Sequence, residues 1–362
     1  MTPSVRVVEL FRVRLPLRAP FHTARSTTVT KDALLVRVET DAAEGWGEVG
    51  AEAAPTYAPD TLDTARLVLR DELVPRVYAG AGLEEVRGHH PARAALSGAL
   101  LDARLRADGT PLAAYLGGTA THVDAGVAIG VAGEPADVAR VAAGFVEEGY
   151  GSVKVKIAPG HDVDVIAAVR GAVDDEVTIQ ADANGSYALA DVDRLRALDA
   201  YGIACLEQPL APPGLLDHAR LGEQLRTPIG LDETITGATI ARDAIALRAC
   251  AVVSIKTALV GGPDEARATH DACVAAHVAA RAGGMLETGV GRAALVALAS
   301  LPGFTVTGDV SASDRYFEED LTAPFELVEG TLAVPTGPGL GVTPLPEVLA
   351  RRTLARERID PP

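Results

Sequence analysis

Few cysteines, no cluster of basic residues and no long apolar run occur in this sequence, and each of these absences excludes a class of protein. Three of the 362 residues are cysteine, and Cys205, Cys250 and Cys273 lack the paired spacing of a zinc site. An odd number of cysteines suits a reducing compartment better than a disulfide framework. We therefore interpret the three as core residues.

The distribution of charge argues against nucleic acids and anionic membranes as partners. The formal net charge is −16, and no run rich in Lys and Arg occurs. Phosphate binding requires clustered cations, so we expect no nucleic-acid partner. No apolar run approaches the roughly 20 residues of a membrane span, and the N-terminus lacks the pattern of a signal peptide. We expect a cytoplasmic protein that has no membrane partner.

The first third of the chain has the pattern of a small α+β domain. Hydrophobic residues make up 48% of the sequence, which is enough for a substantial core. Alternation at strand period predicts strands at 4–15 and 33–40, and residues 45–48 predict a turn into a third strand. Spacing at helical period then predicts helices at 61–76 and 91–107. We place this domain at residues 1–120.

From about residue 123 the pattern changes to short β-rich runs separated by helical stretches, which is typical of βα units and a parallel sheet. Eight strands are predicted, at 123–130, 152–157, 177–184, 204–209, 228–234, 252–258, 278–284 and 304–309. Eight such units close into a β/α barrel of ~250 residues. The predicted fold class is therefore α/β, with a barrel over residues 121–321 and a C-terminal segment, 322–362, that returns to the first domain.

Five ionisable residues lie at the ends of five consecutive predicted strands: Lys156, Asp182, Glu207, Asp232 and Lys256. Their separations are 26, 25, 25 and 24 residues, which is the length of one βα unit here. Residues two apart on a strand share a face, so this face presents three carboxylates flanked by lysines. If it points inward, these groups meet at the C-terminal mouth of the barrel, where barrel enzymes have their active sites.

The three carboxylates predict a metal site, because converging negative charges repel one another unless a cation neutralises them. Ligands that are all oxygen favour Mg²⁺ over Zn²⁺, and Mn²⁺ is expected to substitute. A lysine desolvated near other cations has a lowered pKa and becomes a usable base. Removing a proton α to a carboxylate creates an enediolate, whose extra charge such a metal stabilises.

Other interpretations remain open at this point. Each carboxylate taken alone could cap the following helix or pair with a lysine. A glycosidase on the same barrel would use two carboxylates without a metal and would give Lys156 no role. A degenerate barrel that only binds or scaffolds would lack a ligand or a lysine, and none is lacking.

At these residues the sequence resembles the enolase superfamily and, within it, the muconate-lactonising subgroup. The resemblance is closest to the branch of o-succinylbenzoate synthases and N-acylamino acid (N-succinylamino acid) racemases. It extends over almost the whole chain and is carried by the segments 154–160, 182–184, 207–209, 231–234, 283–292, 308–316 and 335–341.

The resemblance implies an N-terminal capping domain over a (β/α)₇β TIM-like barrel, with Asp182, Glu207 and Asp232 as Mg²⁺ ligands. It implies that Lys156 removes the α-proton and that Lys256 faces the enediolate from the far side, or acts as the opposed acid in a racemase. Four further residues are implied to bind the substrate, namely Lys154 and Asn184 near its carboxylate and Phe21 and Met285 over its tail. The loop around Phe21 would close over the site.

Two departures from the family pattern bear on the reaction. Many relatives carry an arginine three residues after the second lysine, where this chain has Leu259. Loss of a nearby cation changes the pKa of Lys256, and a racemase that exchanges protons through Lys256 is more exposed to this change than a dehydratase. In the seventh strand, Ala280-Arg281-Ala282 replaces a more apolar, aromatic segment.

We therefore predict a Mg²⁺-dependent dehydratase similar to o-succinylbenzoate synthase, an enzyme of menaquinone biosynthesis. N-succinylamino acid racemase is the alternative or a second activity. The expected partner is a small-molecule carboxylate substrate, and a homo-oligomer is expected.

Overall fold

The computed structural model describes residues 4–22, 27–130 and 133–362 and contains an antiparallel sheet, a parallel sheet and a two-stranded ribbon. The strands in chain order are β1 (Val5–His22), β2 (Thr27–Thr40), β3 (Glu44–Val49), β4 (His122–Asp124), β5 (Gly126–Ile129), β6 (Ser152–Lys156), β7 (Thr178–Asp182), β8 (Cys205–Glu207), β9 (Ile229–Leu231), β10 (Val252–Ile255), β11 (Ala279–Ala282), β12 (Thr331–Ala333) and β13 (Thr353–Ile359).

The helices in chain order are α1 (Leu62–Val68), α2 (Val74–Tyr78), α3 (His90–Asp108), α4 (Leu112–Leu116), α5 (Pro135–Glu147), α6 (Val163–Ala172), α7 (Val192–Ala197), α8 (Leu215–Gly222), α9 (Ala238–Ala246), α10 (Thr257–Val260), α11 (Pro263–Ala275), α12 (Gly289–Ala299) and α13 (Pro346–Arg352). A π-helical turn, Leu69–Leu73, joins α1 to α2. None of the helices in the described ranges is both long and apolar enough to cross a bilayer.

The antiparallel sheet has the strand order β13-β1-β2-β3, so the C-terminal strand pairs with the N-terminal one. Helix α3 packs closely on β3, because two glycines leave room for its backbone. A Cβ added at Gly47 would lie 2.0 Å from the carbonyl oxygen of Ala95, and one at Gly45 would lie 2.1 Å from that of Ala99. Gly45, Trp46 and Gly47 therefore lie within β3, and the two glycines let α3 pack closely on this strand. The sequence predicted instead that this segment is a turn leading into the strand.

The parallel sheet contains β5 to β11 in sequential order, as expected for successive βα units. On β6, Val153 and Val155 belong to the apolar core, while Lys154 and Lys156 lie on the other face. Lys154 forms ion pairs with Glu207 on β8 and with Asp309, which places this face inside the barrel. The α/β fold class predicted from the sequence is confirmed.

Two of the eight predicted strands differ from the structure. The first is divided, because Ala125 donates its N–H to Gly330 and leaves β4 paired with β12 while β5 joins the barrel. The eighth, 304–309, was wrong as a regular strand. The segment instead closes the barrel through a bridge from Ala280 to Phe304 and a hydrogen bond from Gly126 N to Val310 O. Close backbone contacts at glycines replace the regular ladder at this seam.

The seam depends on Gly126, where an added Cβ would lie 2.2 Å from the carbonyl oxygen of Gly308. We predict that Gly126→Ala lowers the free energy of unfolding by about 1–3 kcal/mol, because backbone must move to admit the methyl group. Denaturant unfolding measures this. Gly144→Ala in α5 is the control, since nothing lies within 4 Å of its added Cβ, and it should be neutral or slightly stabilising. Equal stability of the two variants would contradict the close-contact seam.

Candidate active site

The five ionisable residues predicted at the strand ends do meet at one rim of the barrel. Strand register places Lys156 opposite Asp182, and Asp182 opposite Glu207. Asp232 follows β9, two residues after Gly230, which lies opposite Glu207. Lys256 follows β10 directly. Because neighbouring parallel strands end at the same edge, consecutive βα units bring these side chains together.

Two lysines on β6 hold the first two carboxylates. The Nζ atom of Lys154 lies 3.2 Å from Asp182 Oδ2 and 3.0 Å from Glu207 Oε2. The Nζ atom of Lys156 lies 2.6 Å from Asp182 Oδ2. The chain contains four lysines in all, and three of them belong to this cluster. The cluster therefore concentrates nearly all the primary amines of the protein at one place.

Lys256 forms the other side of the site, together with Asp232 and Tyr57. Its Nζ atom lies 2.7 Å from Asp232 Oδ2 and donates to the Tyr57 hydroxyl, which in turn donates to Asp232 Oδ2 at 2.8 Å. The ammonium also lies 4.6 Å from the centre of the Tyr57 ring. The sequence indicates only a packing or loop residue at Tyr57; Tyr57 does lie in a loop, but its contacts with Lys256 and Asp232 were not predicted. No periodic signal marks this residue, since it lies in the loop after β3.

The expectation of a lowered pKa was wrong for Lys256 when only the side chains of the cluster surround it. Burial alone lowers the pKa of Lys256, but Asp232 and the neighbouring carboxylates outweigh burial and raise this pKa above its ordinary value. Burial likewise opposes the charge of Lys154, and Asp309 and Glu207 reverse the effect, so its pKa is also raised. The surrounding carboxylates thus keep both ammonium groups protonated while no other cation shares them.

The acidic residues fit a site for a hard divalent cation in their chemistry. Across the ranges that the structure describes, no three acidic, His or Cys side chains are arranged to share an ion, since the carboxylates face ammonium groups. Nevertheless Asp232 Oδ1 is buried without a hydrogen-bond partner, and neither oxygen of Glu207 accepts a hydrogen bond although cations lie beside both. Such buried carboxylate oxygens are ligands that Mg²⁺ and Mn²⁺ prefer.

Asn184 links the amine of Lys156 to a fourth carboxylate at the rim. Its Oδ1 atom accepts a hydrogen bond from Lys156 Nζ at 2.8 Å, and its Nδ2 atom donates to Glu233 Oε1 at 2.9 Å. The φ of Asn184 is +44°, a conformation that asparagine tolerates better than most residues. Burial, followed by the charge of Asp232, raises the pKa of Glu233 to about 8. The hydrogen bond that Glu233 accepts thus orients the Asn184 side chain toward Lys156.

The seventh strand places an arginine inside the barrel. Arg281 is 0% exposed, forms an ion pair with Glu207 and donates from Nη1 to Gln180 Oε1 at 2.5 Å. Asp309, on the closing segment, forms an ion pair with Lys154. The sequence shows Arg281 only as part of the departure from the family pattern in the seventh strand, and it does not single out Asp309. Arg281 lies opposite Ser254, which shares a strand face with Lys256. This alternation could have predicted from the sequence that Arg281 points into the barrel.

A cavity of about 60 Å³ lies between the cluster and the N-terminal domain, and it is lined by Phe21, Met285, Asn184, Lys156 and Lys256. Phe21 is buried against Tyr316, with the rings edge to face and their centres 5.9 Å apart. The structure therefore brings both predicted tail-binding residues to the same cavity as the two lysines. The loop predicted to close over the site includes residues 23–26, which lie outside the described residues.

Two contacts tie the N-terminal domain to the loop that carries Met285. Lys31 Nζ donates to the Met285 carbonyl at 3.1 Å. Glu48 on β3 accepts hydrogen bonds from the Thr288 hydroxyl at 2.6 Å and from Gly291 N at 3.0 Å, at the start of α12. Burial raises the pKa of Glu48 to about 7, against the opposing effects of Lys31 and of the Thr288 hydrogen bonds.

Two family profiles match this chain. Residues 5–117 match the N-terminal domain of mandelate racemase / muconate lactonizing enzyme, and residues 137–348 match the enolase C-terminal domain-like family. Together the two matches cover β1 to β3, β6 to β12 and the rim that holds the cluster.

Individual relatives are similar over nearly their whole length. An N-succinylamino acid racemase of Amycolatopsis sp is 46% identical over 358 residues, which is 96% of this chain and 97% of that protein. An o-succinylbenzoate synthase of Geobacillus kaustophilus is 42% identical over 352 residues, 94% of each chain. A solved structure from Listeria innocua, described as a member of the enolase superfamily, superposes with a TM-score of 0.95 at 33% identity, covering 99% of this chain and 100% of that one.

The raised pKa of Glu48 predicts how stability depends on pH. Native Glu48 keeps its proton up to about pH 7, whereas the unfolded chain releases it near its ordinary value of 4.5. The unfolded state therefore binds fewer protons between these values, and the free energy of unfolding falls by up to about 3 kcal/mol as pH rises through this window.

Glu48→Gln should remove that contribution, so the difference in unfolding free energy between variant and wild type should change in favour of the variant from pH 4.5 to 7 and then level off. Urea unfolding in chelator at several pH values measures this difference. Parallel pH profiles for the two proteins would contradict the raised pKa.

Proposed function

The chain belongs to the enolase superfamily, with the domains of its mandelate racemase / muconate lactonizing enzyme group, and from that premise we propose that it is a Mg²⁺-dependent dehydratase similar to o-succinylbenzoate synthase. Racemisation of N-succinylamino acids is the alternative or a second activity. Both reactions begin with the removal of a proton α to a carboxylate, so one site can serve either.

The observation that carries the proposal is the placement of two amines on either side of three carboxylates. Lys156 ends β6 and Lys256 follows β10, four strands away in the barrel, and both line the cavity. A planar enediolate between them would present one face to each amine. This arrangement suits proton removal from one face and charge stabilisation or protonation from the other.

Asp182, Glu207 and Asp232 would hold Mg²⁺, which supplies charge stabilisation for the enediolate oxygens when it is bound. Side chains of the protein would orient the substrate and exclude water. Lys154 and Asn184 would orient the substrate carboxylate at the rim. Phe21 and Met285 would cover the substrate tail and exclude water from the cavity.

In the proposed dehydration, Lys156 removes the α-proton and then returns a proton to the departing hydroxide. The Asn184 side chain, hydrogen-bonded to Lys156 Nζ at 2.8 Å, fixes the direction of that amine. Lys256, held by Asp232 and Tyr57, stays protonated and faces the enediolate as a cation.

The dehydratase is our first choice because of the surroundings of Lys256. Leu259, in α10, is buried and apolar at the position where many relatives carry arginine, so it offers no charge to lower the pKa of Lys256. A racemase requires Lys256 to lose and gain a proton, and a strongly held ammonium does this less readily. The racemase remains the second candidate because the Amycolatopsis relative with that name is 46% identical.

We further propose a cytoplasmic homo-oligomer that acts in menaquinone biosynthesis on a small carboxylate substrate. Mn²⁺ would substitute for Mg²⁺, since the donor set is all oxygen.

Exchange of the substrate α-hydrogen in D₂O tests proton removal directly. With the cyclohexene carboxylate precursor of o-succinylbenzoate or an N-succinylamino acid, Mg²⁺-dependent exchange should occur in the wild type and vanish in Lys156→Ala, because Lys156 is the proposed base and Lys256 is proposed to stay protonated. Lys256→Ala should keep exchange on one face of the substrate. NMR follows the loss of the α-hydrogen signal, and circular dichroism checks that each variant is folded.

Retention of exchange in folded Lys156→Ala would contradict the assignment of Lys156 as the base. Retention of exchange in wild type treated with a chelator would contradict the assignment of the metal. A glycosidase-like site would also keep its activity in chelator.

Comparison of the two overall reactions decides between the two activities. We predict a higher kcat/KM for dehydration of the cyclohexene carboxylate precursor than for racemisation of N-succinylamino acids, because Leu259 places no cation near Lys256 to ease the loss of its proton. Absorbance of the aromatic product and polarimetry measure the two rates. Racemisation without any dehydration would reject the dehydratase as first choice.

A further inference from the structure

Arg281 occupies the interior of the barrel directly beside a carboxylate of the proposed metal site. It is 0% exposed and pairs with Glu207, and its Nη1 atom lies 3.7 Å from Asp309 Oδ1. Gln180 accepts from the same nitrogen and is itself fixed by a hydrogen bond to the Thr307 carbonyl at 2.9 Å. A guanidinium cannot lose its proton in a protein, so this is a permanent buried charge.

Arg281 changes the charge balance of the cluster. Four side chains that carry positive charge, each at most 10% exposed, are Lys154, Lys156, Lys256 and Arg281. Four carboxylates pair with them, namely Asp182, Glu207, Asp232 and Asp309. These eight ion-paired side chains therefore sum to zero formal charge without any metal ion. Without Arg281 the remaining seven would carry one net negative charge.

We propose that Arg281 is a positioning residue that acts as a built-in counter-ion for Glu207 and weakens the binding of Mg²⁺ to the substrate-free enzyme. The inference rests on the proposed function, because it takes Asp182, Glu207 and Asp232 as the ligands. Because Glu207 already pairs with the guanidinium of Arg281, its negative charge attracts an incoming Mg²⁺ ion less strongly. A divalent ion added to a neutral cluster leaves two excess positive charges, and buried like charges repel strongly.

Two consequences follow from this role. The metal-free protein keeps Glu207 compensated, so its stability depends little on Mg²⁺. The excess positive charge that arises when Mg²⁺ binds favours an anionic substrate, so metal and carboxylate bind more tightly together than either does alone.

Calorimetric titration with Mg²⁺ alone, in the absence of substrate, tests the proposal without using activity. Arg281→Met removes the charge at similar length and should bind Mg²⁺ with a Kd at least about tenfold lower than the wild type. Arg281→Lys keeps the charge and is the matched control, expected to bind Mg²⁺ like the wild type. Saturating Mg²⁺ should also raise the melting temperature of Arg281→Met more than that of the wild type.

A purely structural role for Arg281 would lower the melting temperature of Arg281→Met and leave its Kd for Mg²⁺ unchanged, and that result would overturn the proposal. Weaker Mg²⁺ binding by Arg281→Met would overturn it as well. Arg281→Gln, which keeps a polar partner for Gln180, gives the same comparison if the methionine variant does not fold.

Asp232→Asn separates this proposal from the proposed function. Loss of Mg²⁺ binding in Asp232→Asn confirms that the titrated site is the proposed one. If Asp232→Asn binds Mg²⁺ like the wild type, the ligand assignment fails and the role of Arg281 fails with it. If Asp232→Asn loses binding while Arg281→Met matches the wild type, only the role of Arg281 fails.

Discussion

A buried carboxylate requires a cation beside it, and this requirement governs the rim where β6 to β10 end. An uncompensated buried charge costs several kcal/mol, a large part of the 5–15 kcal/mol by which a typical domain is stable. Asp182, Glu207 and Asp232 are each at most 1% exposed, and each is paired with a lysine. The same compensation that stabilises the folded chain thus assembles the amines needed for proton transfer.

The N-terminal domain completes the site by covering it. Tyr57 reaches from this domain to Lys256 and Asp232, and Phe21 lines the cavity above them. Lys31 and Glu48 bind the loop and helix that follow β11, so the cover and the barrel hold Met285 between them. The domain therefore contributes both an apolar lid and a polar contact to the amine of Lys256. A barrel alone would leave that amine facing water.

The sequence predicts the barrel side of the site well because strand geometry is local and repeats. One βα unit of about 25 residues, combined with alternation along each strand, is enough to bring Lys156, Asp182 and Glu207 to one rim. Contacts between distant segments leave no such signal. Tyr57 lies in an irregular loop, and the closing segment near Asp309 pairs through single hydrogen bonds in place of a ladder. The raised pKa of Lys256 depends on the summed charges of carboxylates on several strands. Burial considered alone predicts a lowered pKa, which is the opposite direction.

Anomalous X-ray diffraction from crystals soaked in Mn²⁺ tests the central claim most directly, because it locates the ion and its ligands together. We predict one strong peak with an oxygen of each of Asp182, Glu207 and Asp232 at about 2.0–2.3 Å, between the amines of Lys156 and Lys256. A peak bound elsewhere, or one that any of the three carboxylates fails to reach, would contradict it.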